Sequence, residues 1–170
     1  LGEIMSISEF LKSALLIVIC VFLARFIMPP SYTPIVAMAV FLPFMTEHKS
    51  LQMLLPVSIL FFSDLILGFY GQTMLYVYGT MILIGLLSRV LHKATAGSLL
   101  LSGFSSVLLW HLIVNFGVYI NGLGTLSLAQ TYLLAIPFDL KLLISTVAFS
   151  LVFYTGWLMT QKSFLASTRN

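Results

Sequence analysis

Charge is what this chain has least of. Only 8% of its 170 residues are Asp, Glu, Lys or Arg, against 60% hydrophobic, whereas soluble domains carry roughly 25% charged residues. Mean hydropathy is +1.10. Eight basic and five acidic side chains cannot cover the surface of a soluble domain of this size, so the composition excludes a soluble core and defines an integral membrane protein. The net charge of +3 is read as loop charge that sets orientation, not as a footprint for nucleic acid. Cysteine occurs once, at Cys20, which excludes an internal disulfide and a cysteine metal cluster. HExxH, GxSxG and Walker sequences are missing too. No enzyme, cofactor or metal site is therefore read.

What is present is a series of apolar runs separated by short breakers. Ser6 and Glu9 have capping-box spacing, and a helix follows through Ile27. Leu23-Ala24-Arg25-Phe26-Ile27 offers no small-residue cleavage site, so the segment is read as retained rather than as a signal peptide. Pro29, Pro30 and Pro34 force a loop. The spans expected are 10–27, 33–46, 51–69, 74–89, 98–120 and 139–160, in one transmembrane domain over 1–170. A brief apolar run over 132–138 closes at Pro137, and Asp139 is placed to cap the last helix.

The second run, over 35–45, is only ~16 Å long at the helical rise, so length alone does not say whether it crosses. Loop charge decides. If it crosses, Lys12, Lys49, Arg89, Lys93, Lys162 and Arg169 share one side, while the connections at 28–34, 70–73 and 121–130 hold no Lys or Arg. That is the positive-inside pattern, and it puts both termini in the cytoplasm. The fold expected is an all-α bundle of six transmembrane helices.

This topology gathers the intramembrane polar residues toward one face of the bilayer. Asp64 lies in the apolar run Phe61-Phe62-Ser63-Asp64-Leu65-Ile66-Leu67-Gly68, close to the outer end of the third span. Asn115 is at similar depth in the fifth, and His111 is one turn deeper on the same helix face. Arg25, Asp139 and Lys141 open from the same side, with Tyr32 and Trp110 among the aromatic residues nearby. Ionisable groups inside a membrane are costly and default to functional hypotheses. Bland readings stand beside that one. Asp64 can pair with Arg25 or accept from Asn115 to hold helices together, His111 can be a bonded core histidine, and Arg25 and Lys141 can snorkel. Tyr32 and Trp110 suit an interfacial belt, and Ser98, Ser102 and Ser106 form a small-residue stripe suited to close helix approach.

Tyr32-Thr33-Pro34-Ile35-Val36-Ala37-Met38-Ala39, Phe62-Ser63-Asp64-Leu65-Ile66-Leu67-Gly68-Phe69, Val77-Tyr78, Val114-Asn115-Phe116-Gly117-Val118-Tyr119 and Ala135-Ile136-Pro137-Phe138 resemble an uncharacterised bacterial family of six-helix membrane proteins. That family is in turn similar to the substrate-binding S components of energy-coupling factor (ECF) vitamin transporters. The resemblance implies a subunit of the bacterial cytoplasmic membrane with an outward-facing pocket for a small vitamin-like, polar or aromatic nutrient. It also implies partners: the lipid bilayer, the small-molecule substrate, and a coupling protein with ATPases. S components commonly carry Ala-x-x-x-Ala on the first helix, and here only Cys20 and Ala24 approach that spacing. Asp64, His111 and Asn115 are the expected polar contacts, with Arg25, Asp139 and Lys141 at the mouth. The alternative is an accessory subunit of a larger membrane complex, in which the same residues tie helices together.

Overall fold

The computed structural model describes residues 7–29, 31–122 and 125–167, with side chains over 15–29, 31–122 and 125–159. The Ser6–Glu9 capping box and the side chains of Lys12, Lys162 and Arg169 lie outside the described residues. The chain is all-α: α1 Ile7–Ile27, α2 Ile35–Met45, α3 Lys49–Leu67, α4 Thr73–Leu91, α5 Ala96–Asn121 and α6 Leu128–Ser167. Among the described residues, Lys49–Leu67, Thr73–Leu91, Ala96–Asn121 and Leu128–Met159 are long and apolar enough to cross a membrane, whereas Leu15–Ile27 and Ile35–Met45 are shorter apolar stretches.

The short α2 is the axis of the bundle. Its sequence carries no charge, and Ile35 through Pro43 are all buried, as a helix apolar on every side requires. Among the described residues it touches each of the other five helices, whereas α1 touches α2 and α3 alone. Small residues let the remaining helices close around it. A methyl group at Gly85 would stand 3.0 Å from the Gln52 carbonyl, which brings α4 against α3, and one at Gly103 would stand 3.4 Å from Thr146 Cγ2, which brings α5 against α6. Ser98, Ser102 and Ser106 are buried along α5, with Ser98 bonded to Thr95 at the helix start.

Polar contacts define two ends of the bundle. At one, Asn121 donates to Thr73 Oγ1 at 3.0 Å, and Gly68 (φ 98°) and Gly71 (φ 73°) turn the chain from α3 into α4 through backbone conformations that side-chain-bearing residues disfavour. We call this the Tyr70 end. At the other, Arg89 Nη1 donates to the Glu47 carbonyl at 2.9 Å and to Gln52 Oε1 at 3.1 Å. Gln52 Nε2 in turn donates to the Thr46 carbonyl. Phe44 fills this Arg89 end, with His92, Tyr154 and Trp157 set edge-on to it.

The helices start within a few residues of expectation except the last, and the starts of α5 and α6 differ for visible reasons. The fifth helix begins at Ala96 rather than near 98, because Thr95 accepts from the Ser98 amide and Ser98 reciprocates in a capping box. The last helix begins at Leu128 and runs 40 residues straight past Pro137. Asp139 is therefore an interior helical residue and not an N-cap. Proline removes one i to i−4 bond, but Thr131 before it and Leu142 after it are both buried in the bundle, and that packing carries the helix through.

Candidate functional site

The polar residues of the Tyr70 end fall into two separate groups. In the first, Arg25 in the last turn of α1 donates from Nη2 to Asp64 Oδ1 at 2.6 Å. The other carboxylate oxygen accepts the Tyr78 hydroxyl at 2.7 Å and the Tyr70 hydroxyl at 3.3 Å. Asp64 is 1% exposed. Its charge is thus met by a guanidinium and two phenols, the arrangement a buried carboxylate needs if desolvation is to be offset. The partners come from α1, from the α3–α4 turn and from α4, so Asp64 knits three elements together.

In the second group, His111 and Asn115 stand one turn apart on α5 and face Asp139 on α6. His111 Nδ1 lies 2.7 Å from Asp139 Oδ2. Asn115 Nδ2 donates to the same oxygen at 2.8 Å and to the His111 carbonyl at 2.9 Å. A carboxylate only accepts, so Nδ1 carries the hydrogen. The Tyr132 ring meets the imidazole at 5.2 Å, edge to face, and its hydroxyl is anchored on the Leu112 carbonyl at 2.6 Å.

His111 and Asp139 stand at one end of a groove of about 180 Å³ between α5 and α6. Its walls are otherwise apolar: Phe104, Val107 and Leu108 from α5, and Ile136, Leu140 and Leu143 from α6. Phe104, Leu108 and Leu140 are each about half exposed, so the groove opens on the flank of the bundle and not beneath the loops. Apolar walls with a few convergent polar groups are the usual make-up of a small-molecule site. Among the described residues no cluster of three His, Cys, Asp or Glu is close enough to hold a metal.

The remaining expected site residues go elsewhere. Lys141 places its ammonium 5.5 Å from the Phe138 ring centre. Tyr32 lies half-buried in the α1–α2 connection, its amide bonded to the Pro29 carbonyl. Trp110 packs against the core. None of the three lines the groove. Asn115 bonds to Asp139 and not to Asp64. Conversely, Tyr70, Tyr78 and Tyr132 are partners that the sequence does not single out. Tyr132 and Asp139 are seven residues apart, two turns on one helix face, and that spacing was the available signal once the helix is known to continue through Pro137.

The chain is a member of the family of unknown function DUF6580, whose model matches residues 6–167. No curated protein and no solved structure matches it.

Proposed function

We propose that this chain is a membrane-embedded subunit that captures a small molecule at the α5–α6 groove. The observation carrying the reading is the His111–Asn115–Asp139 cluster at one end of an apolar cleft that opens sideways. Polar groups so placed orient a ligand whose affinity comes from the apolar walls. In this reading all six helices lie in a bacterial cytoplasmic membrane. Lys49, Arg89 and Lys93 at the Arg89 end put that end in the cytoplasm by the positive-inside rule, and the Tyr70 end faces out. The resemblance to ECF S components supports uptake of a vitamin-like nutrient with a coupling protein and ATPases as partners. Asp64 and Arg25 then act as a structural brace and not as ligand contacts.

The test is thermal stabilisation of the reconstituted protein against a metabolite panel, since a ligand that binds the folded state raises its unfolding temperature. A stabilising compound should lose its effect in Asp139→Asn and His111→Ala. Binding left intact by both substitutions overturns the assignment.

The Arg25–Asp64 brace favours a second reading, an accessory subunit whose intramembrane polar groups only join helices. A stoichiometric non-transporter complex recovered in mild detergent, with no stabilising metabolite, would select it.

A further inference from the structure

Capture at the α5–α6 groove leaves the chemistry of the captured head group open, and the polar end of the groove narrows it. We infer that the groove takes an amphiphile whose head donates hydrogen bonds, an amine, amide or hydroxyl, and turns away a carboxylate or phosphate head. This assignment rests on the capture reading.

The polar group offered at the groove is an acceptor, the Asp139 carboxylate. Among the described residues, both protein hydrogen bonds to Asp139 fall on Oδ2, which leaves Oδ1 as the carboxylate oxygen with lone pairs to spare. Asn115 spends both amide hydrogens, one on Asp139 and one on the His111 carbonyl. No Lys or Arg lines the groove. The nearest lysine in sequence, Lys141, holds its ammonium over Phe138 instead, and Arg25 is committed to Asp64. An anionic head would meet the Asp139 carboxylate with no Lys or Arg among the residues that line the cleft, where like charges repel most strongly. A donor head would complete a charge-assisted hydrogen bond.

The rest of the ligand is set by the walls. Phe104, Leu108, Leu140 and Leu143 supply only apolar surface. A dry cavity of about 150 Å³ is enough for benzene, so a space of about 180 Å³ holds a single ring or a short chain. The half-exposed rims at Phe104, Leu108 and Leu140 let a longer tail run out along the flank. Entry from the bilayer follows directly.

Three photoactivatable diazirine probes sharing one octyl chain, headed by an amine, a hydroxyl or a carboxylate, test this on the full chain in phosphatidylcholine nanodiscs. Cross-links are mapped by mass spectrometry and normalised to the exposed α1 flank at Leu15 and Ile19, which corrects for partitioning. The amine and alcohol probes should label 104–111 and 136–143 about tenfold more than the carboxylate, the scale of one hydrogen bond to a charged group. Leu108→Trp, which fills the cleft, should remove that labelling. Asp139→Asn, checked for a monodisperse folded state, should bring the amine down toward the carboxylate. Equal labelling by the carboxylate probe, or an amine preference unchanged in Asp139→Asn, overturns the head-group assignment and leaves capture standing. Labelling of the groove no greater than in Leu108→Trp for every probe removes the site itself, and both readings fall.

Discussion

Arg25 and Asp64 meet at 2.6 Å across 39 residues of chain, tying the last turn of α1 to the last turn of α3. Among the described residues α1 touches α2 and α3 alone, and this ion pair locks its last turn to α3. Breaking a buried pair by removing one partner costs about 3–5 kcal/mol, since it strands an uncompensated charge, whereas replacing both with apolar groups is often close to neutral. Arg25→Met and Asp64→Leu should therefore each lower the unfolding temperature strongly in detergent, and the double variant should recover much of the loss. Additive losses in the double variant would contradict this account.

Gly117 admits the Tyr76 ring. A methyl group there would lie 2.3 Å from Tyr76 Cγ and 2.8 Å from its Cβ, atoms too near the backbone to swing aside. Gly117→Ala should destabilise by about 1–3 kcal/mol through overpacking. Gly79, with nothing within 4 Å of an added methyl, is the matched control: Gly79→Ala should be neutral or stabilising by up to about 1 kcal/mol from helix propensity. Chemical unfolding of the two variants side by side decides the point.

His92 lies at the C-terminal cap of α4 against the Phe44 ring, 4.4 Å between ring centres. Burial lowers its pKa below the ordinary 6.5. The unfolded chain then binds a proton that the folded chain refuses, so this contribution to stability is complete above about pH 6.5 and is lost as pH falls through the window beneath it. The unfolding temperature should drop between pH 7.5 and pH 5, and His92→Phe should flatten that slope. An identical slope in the variant would show that other groups set it.

Gln52 is 2% exposed and bridges the Arg89 end, accepting from Arg89 and donating to the Thr46 carbonyl. Gln52→Leu keeps the bulk but leaves that carbonyl without its donor. An unsatisfied buried polar group costs about 1–3 kcal/mol. Urea titration should show a loss of that order, and a variant as stable as the parent would mean that water replaces the amide.

Topology is open to direct labelling. In a Cys20→Ser background, Gln72→Cys at the Tyr70 end and Lys93→Cys at the Arg89 end should react with a membrane-impermeant maleimide from opposite sides. Intact cells should label Gln72→Cys, and Lys93→Cys should label only after lysis. The reverse pattern would invert the orientation assigned from loop charge.

The amino-acid sequence by itself determined that the chain is helical, and it located most helix ends. Apolar runs broken by Pro29 and Pro34, by the turn at 70–73 with Gly71, and by the charges around Lys49 and Arg89 are local signals, and a helix is a local structure whose backbone bonds span four residues. Those same runs marked Asp64, His111, Asn115 and Asp139 as residues needing partners, because a charge or amide in apolar surroundings is costly wherever it lies. Which partner each one takes was decided only by the tertiary structure. That choice depends on how each helix is rotated about its axis and which helix stands beside it, and neither is written in the linear order. One polar cluster read from depth alone thus became two: a closed brace at Asp64, and a His111–Asn115–Asp139 group on an open groove. Pro137 was the same kind of case. Its local signal says break, and burial of Thr131 and Leu142 on either side outweighs it, carrying Asp139 from a presumed cap into the helix interior, where it faces His111.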